Sequence, residues 1–124
     1  MKNLWSKEGK PNWDAIETQD WFIDLKNCPQ DPAFHAEGDV GIHTKMVLNA
    51  LMNLEEFKGL NQYDQQILSW SALLHDIGKP KCTMTDEEGF IRAPRHAVIG
   101  EKMARRMLWD MGFKAREAIC SLIR

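Results

Sequence analysis

The chain is predicted to fold as an all-α protein. Three observations support this: apolar residues recur at three- and four-residue spacing, Gly and Pro punctuate the stretches between, and no segment shows convincing strand-like alternation. No internal repeat or low-complexity stretch occurs.

Residues 1–11 are polar, end in Gly9-Lys10-Pro11 and read as an irregular lead-in. A first helix is predicted from about Asn12 to Asn27, with Trp13, Ile16, Phe22 and Leu25 on its apolar face and Asn12 as a cap. Cys28-Pro29-Gln30-Asp31-Pro32 stops it, because proline lacks the N–H donor and pushes its predecessor out of helix. A loop follows over residues 33–39. Asp39 then caps a helix to about Phe57, in which Val40, His43, Val47, Ala50 and Leu54 form one stripe. Gly59 and Asn61 separate it from a helix over Gln62–Ile77, where Ile67, Ser71, Leu74 and His75 lie near one face and Gly78 and Pro80 end the run. Residues 81–93 are polar, with Asp86-Glu87-Glu88-Gly89 as a turn and Phe90-Ile91 as a short extended piece. A helix begins near Pro94 or Arg95, carries His96, Gly100, Met103 and Met107 on one face and ends at Gly112. A last helix starts near Lys114, with Ala115, Ala118, Ile119 and Leu122 apolar. It runs to Arg124 with no Gly, Asn or Pro to close it, so a fragment of a longer protein is expected, with residues 1–124 as one domain.

The composition narrows the function classes. A chain of 124 residues is long enough for one domain with a real core, and 44% hydrophobic with 27% charged content is ordinary for a globular protein. A formal charge of -2 argues against a broad nucleic-acid or membrane surface. No apolar stretch reaches the ~20 residues of a membrane span, and the N-terminus lacks a secretion signal. Cys28, Cys82 and Cys120 are an odd count without a Cys-x-x-Cys pair, which argues for a reducing compartment, the cytoplasm, and against a disulfide framework or a thiolate zinc site. The many Trp and Met residues read as core packing.

His75-Asp76 is the feature that points to chemistry. An imidazole and a carboxylate at the end of an apolar helix are poor core filling and good ligands for a divalent metal. The stretch from His43 to His75 holds one helix, a turn and a second antiparallel helix, so His43 at the start of one and His75 at the end of the other can converge. Two imidazoles and one carboxylate suit Zn, Mn, Fe, Co or Ni and leave positions for water and substrate. The same residues also suit a bland reading, with His43 a satisfied core histidine and His75-Asp76 a helix-end pair. His96, opening a helix, fits a further ligand, a phosphate contact or a surface cap. Lys79 fits a phosphate or oxyanion contact as well as a cation at a helix end. Arg95 is the best placed cation for a bidentate phosphate contact, whereas Arg105 and Arg106 read as a solvated face. His35 and Glu37 are explained as loop polarity and also stand close enough in sequence to reach the mouth of a site. The Gly-Lys-Ser/Thr loop and the Gly-x-Ser-x-Gly elbow are both absent.

Leu74-His75-Asp76-Ile77-Gly78-Lys79-Pro80 resembles the signature of the HD superfamily of metal-dependent phosphohydrolases, and His43 matches that family's first ligand histidine. Glu37-Gly38-Asp39-Val40-Gly41-Ile42-His43-Thr44, Gly89-Phe90 and Arg95-His96-Ala97-Val98-Ile99-Gly100 are similar to the HD domain of bacterial tRNA nucleotidyltransferases, and equally to the HD module fused to polynucleotide kinases of RNA repair. The likeness covers roughly residues 31–124. It implies a helical bundle of about five helices and a divalent metal (Mn, Fe, Co, Ni, Zn or Mg) on His43, His75 and Asp76, with His96 extending the site to a second metal. Asp76 and Lys79 would carry the catalysis. Lys79, with Arg95 or His96, would meet the phosphate.

The implied substrate is a nucleotide or an RNA end, such as a 2′,3′-cyclic phosphate or a 2′-phosphate. The implied partner is a fused nucleotidyltransferase or kinase domain, with no membrane. Two alternatives stand beside it: a nucleotide or alarmone hydrolase of the same superfamily, and a non-catalytic regulatory or binding module. The family's last ligand is an aspartate on a later helix. Glu101, Asp110 and Glu117 do not match it, so it is expected beyond Arg124 in a parent protein, which puts the fragment's own activity in question.

Overall fold

The computed structural model describes residues 3–31 and 38–124. His35 and Glu37 lie outside the described residues. The elements in chain order are α1 (Trp13–Ile16), α2 (Asp20–Lys26), α3 (Val40–Asn53), α4 (Glu55–Lys58), α5 (Gln62–Leu74), α6 (Lys79–Cys82), β1 (Met84–Thr85), β2 (Ile91–Arg92), α7 (His96–Asp110) and α8 (Arg116–Ile123). The class is all-α, as the spacing predicts. α5 is central and packs on α3 and α8; α8 packs on α7, and α2 on α3.

The segments outnumber the five expected helices because two predicted helices break. The first breaks between α1 and α2. Thr18 Oγ1 donates to the Ala15 carbonyl at 2.8 Å, and Gln19 turns extended as the cap of α2. A hydroxyl that bonds back to the chain competes with the helix ladder. The second breaks at Leu54, whose extended backbone ends α3 and caps α4. Pro80 also does more than end a helix. It sits in the first turn of α6, where its missing N–H has no partner to lose. The extended piece expected near Phe90-Ile91 is real and has a partner the sequence did not suggest, with Met84 opposite Arg92 and Thr85 opposite Ile91. Asp86 holds the turn between them, its Oδ1 accepting from the Glu88 and Phe90 N–H groups.

The core joins all the long helices. Ile16, Phe22, Leu25, Val40, Leu48, Leu73, Leu74, Ile77, Leu108 and Ile119 are fully buried. Trp70 on α5 meets Trp5 of the lead-in edge-on, centroids 5.6 Å apart, and Phe113 at 5.8 Å. Most Trp and Met residues pack in or against the core as expected, but Trp109, Met46 and Met84 are exposed. Arg105 keeps its predicted solvated face, its side chain 41% exposed, and there bridges Glu101 on its own helix and Glu117 on α8 at 3.2 and 2.8 Å. Arg106 pairs more loosely with Asp110 and is mostly exposed.

One close approach sets the position of the candidate site. A Cβ on Gly78 would lie 2.3 Å from the His96 carbonyl oxygen and 2.6 Å from the Gly100 nitrogen. Only a residue without a side chain lets the turn after α5 touch the first turn of α7 backbone to backbone. That contact seats His96 against the His75-Asp76 turn.

Candidate metal centre

Each candidate ligand is placed by a local rule. Asp39 accepts the Ile42 N–H at 2.8 Å and starts α3, so His43 stands one turn into that helix. At the far end of α5, Ile77 N–H bonds to Leu74 O and Lys79 N–H to Asp76 O, a tight turn that projects two adjacent side chains, His75 and Asp76, to one point. His43 and His75 face each other with ring centroids 5.7 Å apart.

Asp76 is the centre of the arrangement. It is buried, and its Oδ2 lies 3.0 Å from His75 Nε2, 3.6 Å from His43 Nε2 and 3.3 Å from Lys79 Nζ. Its Oδ1 lies 3.6 Å from His96 Nε2. One ligand atom each of His43, His75 and Asp76 falls within 4.8 Å of the others, a spread that a single ion draws together.

The histidine tautomers sharpen the picture. His75 Nδ1 stands 2.6 Å from the Ala72 carbonyl and His96 Nδ1 stands 2.9 Å from the Ala93 carbonyl. A carbonyl only accepts, so each Nδ1 donates to its carbonyl, and each ring turns Nε2 toward Asp76. Asp76 Oδ2 accordingly has no hydrogen bond of good geometry despite three nitrogens nearby. Two acceptors 3.0 Å apart repel unless a proton or a metal cation lies between them. This orphaned buried carboxylate oxygen, with imidazole nitrogens aimed at it, fits a divalent cation.

Electrostatics agree with a strongly held anion. Burial pushes the Asp76 carboxyl up, but the close approach of His75 and its charge, with Lys79 and His43, outweigh it and hold the group down to about 2. Burial likewise pulls His75 down, and the nearby Asp76 carboxylate, with the Ala72 carbonyl, raises it above its ordinary value.

A cleft of about 260 Å³ adjoins the cluster, lined by Pro29, Gln30, Lys79, Ile91, Arg92 and His96 among others. Lys79 and His96 belong to both. The structure therefore brings together His43, His75, Asp76, Lys79 and His96. Arg95 stands apart: it is exposed, holds a left-handed backbone at φ 62° just before α7, and does not line the cleft. Arg92 lines it instead, paired with Asp86. Among the described residues, no late acid joins the cluster. Glu101 is held by Arg105 and Arg124, Glu117 by Arg105, and Asp110 by Arg106.

Sequence reasoning passed over Gln30 and Asp31, treating that segment only as a helix stop. Gln30 accepts from Lys79 Nζ at 2.9 Å, and Asp31 accepts the Ile91 N–H at 3.0 Å. A pair of uncharged and charged polar residues between two prolines gave no periodic signal to follow.

The fold and site define an all-α bundle in which part-exposed histidines surround one buried aspartate where three helix ends meet, a group able to hold a metal ion. The HD domain family matches residues 40–124, and the chain belongs to that family. The multifunctional CCA protein of Halorhodospira halophila is 37% identical over 83 residues, covering 67% of this chain and 17% of that protein. Its namesake from Hahella chejuensis is 29% identical over 97 residues, 76% of this chain and 20% of that protein. The one from Actinobacillus pleuropneumoniae serotype 5b is 33% identical over 86 residues, 69% of this chain and 19% of that protein. The chain thus spans about a fifth of the length of these curated relatives. No solved structure matches it. No helix of the described residues is long and apolar enough to cross a membrane.

Proposed function

We propose that this chain carries the metal centre of an HD-type phosphohydrolase acting on a nucleotide or RNA-end phosphate, such as a 2′,3′-cyclic phosphate or a 2′-phosphate. The observation that carries this reading is the buried Asp76 Oδ2, which accepts no hydrogen bond of good geometry while His43, His75 and Lys79 converge on it. His43, His75 and Asp76 would hold a divalent ion of Mn, Fe, Co, Ni, Zn or Mg. Such an ion supplies Lewis acidity, lowering the pKa of water and polarising a phosphoryl group.

The chain's own groups do the rest. The Ala72 carbonyl fixes the His75 ring with Nε2 turned toward Asp76, where it would reach a bound ion, and the Ala93 carbonyl does the same for His96. Lys79 keeps a cation at the join between cluster and cleft, where it stabilises charge on phosphate oxygens. Water displaces the 2′- or 3′-oxygen from phosphorus, and that oxygen leaves with a proton. The multifunctional CCA relatives support an RNA-end substrate and a fused nucleotidyltransferase; a fused kinase domain is the other arrangement the motifs suit. A reducing cytoplasm fits the free cysteines.

The test is metal analysis with hydrolysis of 2′,3′-cyclic and linear nucleotide phosphates. We expect His75→Ala and Asp76→Ala each to lower metal affinity and turnover by roughly a hundredfold or more, since even supporting residues of a metal site cost about 10–100-fold. Unchanged rates would remove the mechanism. Phosphate, pyrophosphate or triphosphate among the products separates a phosphate-ester hydrolase from an alarmone hydrolase. A second reading, a metal-holding binding module without turnover, is favoured by the lack of a late acid in the cluster among the described residues. Bound metal and bound nucleotide with no hydrolysis would establish it.

A further inference from the structure

We infer that Gln30 is a positioning residue for the phosphate of the substrate, fixing Lys79 through its Oε1 and reserving its Nε2 for a phosphate oxygen. The inference rests on the phosphate-ester reading of the site.

Gln30 is 8% exposed and lines the cleft of about 260 Å³. Its Oε1 takes a hydrogen bond from Lys79 Nζ at 2.9 Å. An ammonium only donates, so this bond fixes which end of the amide faces Lys79 and leaves Nε2, the donor end, elsewhere. Nε2 is shut off from solvent and has no acceptor. Buried amide donors are seldom left so, because the loss of their water hydrogen bonds goes uncompensated. Nothing in helix packing requires an amide here, since Pro29 has already stopped α2. Lys79 is meanwhile held on its other side by Asp76 Oδ2 at 3.3 Å and is itself only 14% exposed.

The result is an ammonium and a buried amide N–H without an acceptor, on two residues that line one cleft together with His96. Both groups are donors, so their common ligand consists of acceptors. A phosphate offers two oxygens on one atom and matches a cation next to a neutral donor. Gln30 reaches the Asp76 cluster through Lys79, and measuring Zn²⁺ affinity beside phosphate affinity separates its effect from metal binding.

The experiment uses the whole chain loaded with Zn²⁺ and inorganic phosphate as the probe. Calorimetry measures phosphate affinity, and the side-chain amide signal of Gln30 is followed by ¹H–¹⁵N NMR. We expect that amide signal to shift on phosphate addition. Gln30→Glu keeps an acceptor for Lys79 but replaces the donor by an anion; we expect it to weaken phosphate by roughly tenfold or more. Gln30→Met, which loses both roles, should weaken it less than Glu does. For a cyclic nucleotide the loss should fall mainly on KM, with Zn²⁺ affinity within about twofold of wild type.

Wild-type phosphate affinity in Gln30→Glu, or an unmoved Gln30 amide, overturns the inference. The amide measurement decides the matter even if a variant fails to fold. Hydrolysis that depends on Asp76 but ignores Gln30 sinks this inference alone. Absence of both phosphate binding and hydrolysis in the wild type sinks the phosphate-ester reading with it.

Discussion

Asp76 shows how burial and partnership compete on one side chain. Burial favours the neutral acid; three nitrogens within 3.6 Å of Oδ2 favour the anion, and they win, holding the carboxyl at about 2 against 3.8 for a free one. A depressed carboxyl contributes stability that is complete above its unfolded value and lost as pH falls through its folded one. That contribution is of the order of 2 kcal/mol and disappears between about pH 4 and pH 2. His75 has the opposite sign. Its raised folded value gives stability that is complete below about 6.5 and lost as pH rises through the raised value. Metal-free protein should therefore gain from this pair chiefly between about pH 4 and 6.5. Urea titrations across pH, with chelator present, check this. Asp76→Asn should flatten both limbs, and an unaltered pH profile in that variant would refute the assignment.

The turn after α5 and the first turn of α7 touch through glycine backbones, and the two glycines are not equivalent. A Cβ on Gly78 would strike backbone atoms of His96 and Gly100 at 2.3 and 2.6 Å, which no rotamer change relieves. A Cβ on Gly100 would meet the Gly78 nitrogen at 3.2 Å, a tight contact but a bearable one. Alanine at 100 also regains about 0.8–1 kcal/mol of helix propensity. We expect Gly78→Ala to cost about 1–3 kcal/mol and to swing His96 away from Asp76, while Gly100→Ala stays within about 1 kcal/mol of wild type. Chemical denaturation ranks the two. Equal costs would show that the helix ends part more easily than this contact implies.

The molecule as a whole holds its site where several helix ends meet over one shared core. Leu73 is fully buried on α5, two residues before His75, and α5 packs on both α3 and α8. Leu73→Ala should cost about 2–5 kcal/mol through lost burial and the cavity left behind. Because α5 anchors the cluster, the variant should lose metal affinity and stability together. Thermal melts with and without Zn²⁺ measure both; full metal affinity in a strongly destabilised variant would show that the site is independent of the core. The three free cysteines add no cross-links to this core.

Much was legible along the chain. Capping by Asn12 and Asp39, the stop at Cys28-Pro29 and the apolar stripes gave the helical class and most helix starts, because these are local effects of backbone donors and side-chain spacing. The convergence of His43 on His75-Asp76 was also legible, since antiparallel helices joined by a short turn bring start and end together. Thr18 and Leu54 broke predicted helices because a hydroxyl back-bond and a single extended residue are small signals against long apolar periods. The place of Gln30, the pairing of β1 with β2, the clasp of Arg105 on Glu101 and Glu117, and the Gly78–Gly100 contact were decided only in three dimensions. Each joins groups far apart in sequence, and no periodicity records which distant backbone comes near. The amino-acid order thus determined which side chains are chemically able to hold a cation; the packing of α7 and of the segment after α2 decided which of them surround Asp76.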